Sequence, residues 1–283
     1  MSDVIVDPAA MQAWSDGRRA AGRRIAVVPT MGALHAGHLA LIGEAGRHAD
    51  EVVVTIFVNP LQFNSTSDFD VYPRPLDDDL VACSRAGVQA VYAPTAATMY
   101  PVGFQTHVVP GSLADRLEGE HRPGHFRGVT TVVTKLLAAT RPHVAVFGQK
   151  DAQQLAIVRR MVSDLDLGVE IVAMPTVREP DGLALSSRNT RLAPAERHAA
   201  TCISRGLRSL AAAAASGERD VATLTAIGAH EIDDEPLARL EYLELVHPGT
   251  FDGVGPTLPD EGALAVAAAW LGTVRLIDNL HVP

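Results

Sequence analysis

Ile25-Ala26-Val27-Val28, running directly into Pro29-Thr30-Met31-Gly32-Ala33-Leu34-His35-Ala36-Gly37-His38, decides the fold class of this chain. The four apolar residues read as a strand buried on both faces, which is the habit of parallel sheets. Residues 39–47 are compatible with a helix, so the two histidines sit where a strand turns into a helix. At a spacing of three residues their imidazoles share one face of the first helical turn. A helix start offers unpaired N–H groups and a partial positive charge, which suits phosphate. Two imidazoles there can donate hydrogen bonds to a phosphoryl group whose charge changes during a reaction. Gly32 and Gly37 let backbone and ligand approach closely. The plainer alternative is a cap and a surface histidine. Zinc fits less well, because helical zinc histidines are typically i and i+4 and need further ligands.

Outward from this stretch the pattern alternates to about residue 177. Strands are expected at 25–28, 51–58, 90–93, 144–147 and 170–174, with a short edge strand at 106–109. Helices are expected at 39–47, 76–86, 129–140 and 152–165. Short apolar strands alternating with helices imply an α/β fold, a parallel sheet with helices on both faces. Ligands of such sheets bind beyond the carboxyl ends of the strands. The remainder reads differently. One long helix over 193–216 and another over 223–232 precede strands at 240–246, 263–270 and 273–278. The expected division is residues 1–177 and a smaller α+β domain, 178–283.

Of 283 residues, 47% are hydrophobic and 20% charged, as in ordinary globular proteins. A net charge of −9 argues against a general nucleic-acid-binding surface, though not against an anionic ligand in a locally positive cleft. Cys83 and Cys202 are the only cysteines, which argues against a disulfide framework and a thiolate zinc site. Residues 1–13 carry Asp3 and Asp7 and lack a basic segment before an apolar core, so no secretory signal is expected. No apolar run approaches the roughly 20 residues of a membrane helix. The expectation is a cytoplasmic protein with neither nucleic acid nor membrane as partner.

Five further segments carry polar groups. Phe57-Val58-Asn59-Pro60-Leu61-Gln62-Phe63 ends a strand and leaves Asn59 and Gln62 at its edge. Tyr72-Pro73-Arg74-Pro75-Leu76-Asp77-Asp78-Asp79 places three carboxylates at a helix start, either as dipole partners or as a magnesium site shared with phosphates. Arg122-Pro123-Gly124-His125-Phe126-Arg127-Gly128-Val129 is basic and glycine-flexible. Gly148-Gln149-Lys150-Asp151-Ala152-Gln153-Gln154 offers an ammonium to phosphate and a carboxylate to ribose hydroxyls. Asp181-Gly182-Leu183-Ala184-Leu185-Ser186-Ser187-Arg188-Asn189 offers two hydroxyls and a guanidinium. Together with His35 and His38, Lys150 and Arg188 point to a triphosphate site.

In this order the segments resemble the pantoate–β-alanine ligase family, of the HxGH nucleotidylyltransferase-like superfamily. The matching blocks are PTMGALHAGH, FVNPLQF, YPRPLDDDL, RPGHFRGV, FGQKDAQQL and DGLALSSRN. The resemblance implies a Rossmann-like nucleotide-binding domain followed by a smaller C-terminal lid domain. It implies ATP-dependent condensation of pantoate with β-alanine through an acyl adenylate, with Mg²⁺, in a homodimer. By the same resemblance His35 and His38 contact the ATP phosphates, and Lys150, Ser186 and Arg188 hold them. Gly148 and Asp151 hold the ribose, Val177 lies beside the adenine, and Pro29, Thr30, Met31, Leu185 and Ser187 complete the nucleotide site. Gln62 and Gln154 hold pantoate, with Met31, Phe63 and Val133 as its apolar pocket. Asp78, with Asp79 nearby, is the implied magnesium carboxylate, and Asn59, Tyr72, Arg122 and His125 line the cleft. The chain departs from the family at Gln149, usually Glu, at Ala152, usually Tyr, and at Leu185, usually Met. The rivals are a nucleotidylyltransferase acting on a phosphorylated acceptor and a nucleotide-binding homologue without catalysis.

Overall fold

The computed structural model describes residues 2–283. It comprises two compact units, one reaching Gln149 and resuming over Ile157–Pro175, the other formed by Lys150–Ala156 and Thr176–Pro283. The boundary read from sequence lies between 177 and 178, whereas Lys150–Ala156 and residues 176–177 also belong to the second unit.

The first unit is built in the order β1 (Asp3–Ile5), α1 (Pro8–Ala20), β2 (Ile25–Thr30), α2 (Ala36–His48), β3 (Glu51–Ile56), α3 (Thr66–Asp70), α4 (Leu76–Arg85), β4 (Ala90–Tyr92), α5 (Ala96–Met99), α6 (Glu118–His121), α7 (His125–Thr140), β5 (Val144–Gly148), α8 (Ala152–Asp164) and β6 (Glu170–Met174). The six strands form one parallel sheet in the order β1-β4-β3-β2-β5-β6. Chain order reverses at β2, which pairs with β3 on one side and β5 on the other. In such sheets the crevice at this switch point receives ligands, and the histidine loop leaves from it. Val28, Val54, Val91 and Val146 form the core with Ile42, Ala45 and Cys83. Burial on both faces is why these strands read as unbroken apolar runs rather than as an alternation.

Helix α1 lies in a segment read only for the absence of a signal peptide. Its start is nonetheless written in the sequence: Asp7 caps it by accepting the Ala10 N–H at 2.8 Å, and Pro8 occupies the first turn. The edge strand expected at 106–109 is absent. There Val108 bonds to helix α7 instead, its N–H to Thr131 Oγ1 at 3.1 Å and its carbonyl to the Thr130 hydroxyl at 2.7 Å. Side-chain hydroxyls have replaced a sheet neighbour as partners.

The second unit contains α9 (Pro194–Ala199), α10 (Thr201–Ala215), α11 (Val221–Asp233), β7 (Ala238–Val246), β8 (Ala263–Leu271) and β9 (Val274–Val282). Its three strands form an antiparallel sheet in the order β7-β8-β9. The helix expected over 193–216 is interrupted at Ala200. Hydroxyls of Thr201 and Ser204 take the carbonyls of His198 and Thr201 and compete with the helical ladder. Ala263, Ala265, Ala267 and Ala269 are fully buried and cluster with Leu207 and Leu210 of α10 and Leu224 and Ile232 of α11. Small side chains on the strand leave room for large ones on the helices. Among the described residues no helix is long and apolar enough to cross a membrane.

Candidate active site

The loop between β2 and α2 satisfies its backbone donors internally. Gly32 N–H donates to Thr30 Oγ1 at 3.1 Å, and that hydroxyl donates to the Thr55 carbonyl at 2.7 Å. Ala33 and Leu34 N–H groups donate to the two carboxylate oxygens of Asp79 at 2.9 and 2.7 Å. Gly32 sits at φ +79°, and a Cβ there would lie 2.8 Å from Asp79 Oδ2 and 3.1 Å from Ile56 Cγ2. Glycine is therefore required twice, by backbone conformation and by the approach of Asp79.

His35 is the N-cap of α2 and His38 its third residue. Gly37 N–H donates to His35 Nδ1 at 3.2 Å, and His35 N–H donates to His38 Nδ1 at 3.3 Å. The rings lie 4.1 Å apart at 35°. A nitrogen that accepts from an N–H carries no proton, so both neutral rings hold theirs on Nε2. Gly37 N–H is taken by His35, and each imidazole adds an Nε2 donor at the same helix start.

Asp79 is 2% exposed and both its oxygens accept backbone N–H groups of the histidine loop, so it anchors that loop. Burial raises its pKa above the ordinary value of 3.8, against the two backbone donors that lower it. Asp78, one residue earlier in the first turn of α4, is exposed.

Beside this loop Gln62 Nε2 lies 3.2 Å from Met31 Sδ. The Gln62 carbonyl accepts from His125 Nδ1 at 2.8 Å and from Arg122 at 3.3 Å. Arg122 also reaches His125 Nε2 at 3.2 Å, which fixes the opposite tautomer from that of His35 and His38. His125 and Arg122 thus hold the backbone of Gln62. Gly128 explains the glycine of that segment: a Cβ there would meet the Leu61 carbonyl oxygen at 2.3 Å, so only glycine lets α7 touch the turn Pro60–Gln62. Phe63 packs edge-on against Tyr72, ring centres 5.6 Å apart. Val133 is buried in α7, and Pro29 and Thr30 end β2.

The second unit assembles another set. Val177 accepts the Leu185 N–H at 3.0 Å and Leu183 the Glu179 N–H at 2.8 Å, which folds 177–185 into a hairpin-like loop. Arg178 holds the Asp278 carboxylate through two bonds of 2.6 and 2.8 Å, and also reaches the carbonyls of Gly182 at 3.0 Å and Asn279 at 3.2 Å. Arg197 forks onto Glu179 at 2.6 Å and Asp181 at 2.8 Å. Its hydrogen bond holds the Asp181 carboxyl below the ordinary 3.8. Ser186 Oγ accepts the Arg188 N–H at 3.2 Å, so it caps the turn Ser187–Arg191 while its own proton remains to be donated. Lys150 lines a small cavity with Ser186, Asn189 and Asp278, and its carbonyl accepts from Asn279 Nδ2 at 2.9 Å. Its ammonium lies 3.8 Å from Asp151. Gln154 belongs to this unit, and Gly148 closes β5 in the first. Arg178, Asp278 and Asn279 went unread in the sequence because nothing local marks a contact across 100 residues.

Comparison with known proteins points to one family. The family profile described as Pantoate-beta-alanine ligase matches residues 3–281. A pantothenate synthetase of Chloroherpeton thalassium is 49% identical over 280 residues, covering 99% of each chain. The crystal structure of a pantothenate synthetase from Thermus thermophilus superposes with a TM-score of 0.93 at 43% identity over 99% of both chains. That of a pantoate-beta-alanine ligase from Francisella tularensis, complexed with beta-gamma ATP and beta-alanine, superposes with a TM-score of 0.81 at 33% identity, covering 99% of this chain and 98% of that one. With the family profile matched over residues 3–281, this chain belongs to the pantoate–β-alanine ligase family.

Proposed function

We propose that the protein condenses pantoate with β-alanine at the expense of ATP. A carboxylate oxygen of pantoate attacks the α-phosphorus, the bond to pyrophosphate breaks, and pantoyl adenylate forms. The amine of β-alanine then attacks the acyl carbon and the bond to AMP breaks, giving pantothenate, AMP and a proton. A carboxylate is a weak nucleophile toward phosphorus and is repelled by the triphosphate, so the protein's task is positioning and charge neutralisation.

The observation that carries this reading is the pair of imidazoles at the start of α2, whose Nδ1 atoms face backbone N–H groups. With both Nδ1 atoms accepting backbone N–H groups, His35 and His38 donate from Nε2 to phosphate oxygens without first acquiring a proton. Lys150, Ser186, Ser187 and Arg188 bind phosphates, Gly148 and Asp151 the ribose, and Val177 with Leu185 the adenine. Gln62 and Gln154 bind pantoate, aided by Met31, Phe63 and Val133.

Among the described residues no three His, Cys, Asp or Glu side chains come together as a metal site of their own. That suits Mg²⁺, which takes one or two carboxylates and completes its shell with phosphate oxygens and water. We assign Asp78 as that carboxylate, and when bound the ion offsets phosphate charge. From family membership we further infer a cytoplasmic homodimer, which light scattering at the mass of two chains checks.

Pantoate labelled with ¹⁸O in its carboxylate tests the reaction. AMP turnover should require ATP, pantoate and β-alanine together, and the AMP phosphate should gain one labelled oxygen. Unlabelled AMP, or a nucleotide left joined to a phosphorylated acceptor, would overturn the assignment.

A further inference from the structure

Tyr100, immediately after α5, belongs to none of the segments that carry the family resemblance. Its hydroxyl lies 2.7 Å from Asn59 Oδ1, 41 residues away in the chain. Asn59 is 1% exposed and its amide is fully engaged. Nδ2 donates to Gln62 Oε1 at 2.9 Å and to the Gly128 carbonyl at 3.1 Å, while Oδ1 accepts from Leu61 N–H at 3.3 Å and from Tyr100. Both amide hydrogens of Asn59 point at oxygens that only accept, so its Oδ1 can face Tyr100 only if the tyrosine donates. The direction of every bond in the chain Tyr100–Asn59–Gln62 is then fixed. Gln62 Oε1 is turned inward as an acceptor and Nε2 is turned toward Met31 as a donor. The tyrosine ring is wedged between Phe57 and Phe104, with ring centres at 6.1 and 5.0 Å, which keeps the hydroxyl on target.

We propose that Tyr100 is a positioning residue that acts through Asn59 to present Gln62 as a hydrogen-bond donor, and so selects an oxygen-rich hydroxy acid at that position. The inference deepens the assignment of Gln62 to pantoate and rests on it. Without the Tyr100 proton the Asn59 Oδ1 loses one of its two donors, and the hold of Nδ2 on Gln62 Oε1 loosens.

Tyr100→Phe removes one oxygen and keeps the ring. The expected result is a rise of about 10-fold in the KM for pantoate, the weight of one hydrogen bond. The KM for ATP should stay within about two-fold and the melting temperature within a few degrees. In the Gln62→Ala background the same substitution should add less than about two-fold, because a residue acting through Gln62 has nothing left to orient. An unchanged pantoate KM in Tyr100→Phe, while Gln62→Ala raises it, overturns the relay and leaves the Gln62 assignment standing. An unchanged pantoate KM in Gln62→Ala overturns both. Equal rises for ATP and pantoate with a lowered melting temperature would make Tyr100 a packing residue only and overturn the proposal.

Discussion

The loop between β2 and α2 is held from behind by one buried carboxylate, Asp79, whose partners are uncharged backbone N–H groups. The loop over 178–189 in the second unit is held by two guanidiniums on three carboxylates, Arg178 on Asp278 and Arg197 on Glu179 and Asp181. Both devices fix a loop that carries candidate phosphate ligands, but they respond to proton and substitution in opposite ways. In the first, the charge is desolvated and paired only with dipoles, so the neutral acid is favoured relative to water. In the second, the charges are paired, and the hydrogen bond from Arg197 favours the ionised form of Asp181. The first loop depends on shape and the second on charge.

The largest break in this contrast is expected from Gly32→Ala. A methyl group there must be placed 2.8 Å from Asp79 Oδ2, at φ +79°. Left-handed backbone at a non-glycine residue costs about 1–3 kcal/mol before the contact is counted. Loss of about 100-fold in kcat/KM is expected, measured as pyrophosphate release. Activity within ten-fold of the parent would mean that the loop tolerates displacement of its anchor.

Arg178→Lys probes the second device. The charge survives but the fork does not, and the carbonyls of Gly182 and Asn279 lose donors. About a 10-fold rise in the KM for ATP is expected, with a loss of about 1–2 kcal/mol of stability in denaturant titration. An unchanged ATP KM would show that the fork stabilises the unit without shaping its loop.

Acidification separates the two without mutation. The folded pKa of Asp79 is raised, so the cost of burying its charge is present above that pKa and relieved as pH falls through it. The folded pKa of Asp181 is lowered, so its ion pair stabilises above the ordinary value and that contribution is lost only as pH falls through the depressed value. Amide resonances of Ala33 and Leu34 should therefore titrate with a midpoint above 3.8, and those reporting Asp181 with a midpoint below it. The reverse order would contradict the contrast.

The smallest effect is expected from Gln149→Glu, which places a carboxylate beside Lys150. Gln149 is exposed. A change of only a few-fold in the KM for ATP is expected, and a loss beyond about 100-fold, roughly 2.7 kcal/mol, would give it a larger part.

What the sequence disclosed and what it hid divide along the reach of the interactions. Strands such as 51–58 and 144–147 announce themselves because burial on both faces makes them uniformly apolar. The histidine loop announces itself because glycine and histidine cluster within a few residues. The start of α1 was equally local, in Asp7 and Pro8, yet the apolar pattern after it is weak, with only Met11 and Ser15 buried. The misread edge strand at 106–109 has β-type residues, but its partners are hydroxyls of a helix more than twenty residues on. Asp79 looked like one of three equivalent carboxylates. Only its contact with a loop 46 residues away distinguishes it from Asp78. Tyr100 and Asn279 act across 41 and 129 residues and leave no local trace.

The internal closure of the histidine loop separates its backbone from its side chains. Thr30, Asp79 and the two imidazoles consume the N–H groups of Gly32, Ala33, Leu34, His35 and Gly37, so the shape of the loop does not depend on a bound nucleotide. The side chains of Met31, Leu34 and Ala36 take no part in that closure. Met31 meets Gln62 and Leu34 packs on the core, so the loop keeps one backbone shape while its side chains answer to different neighbours.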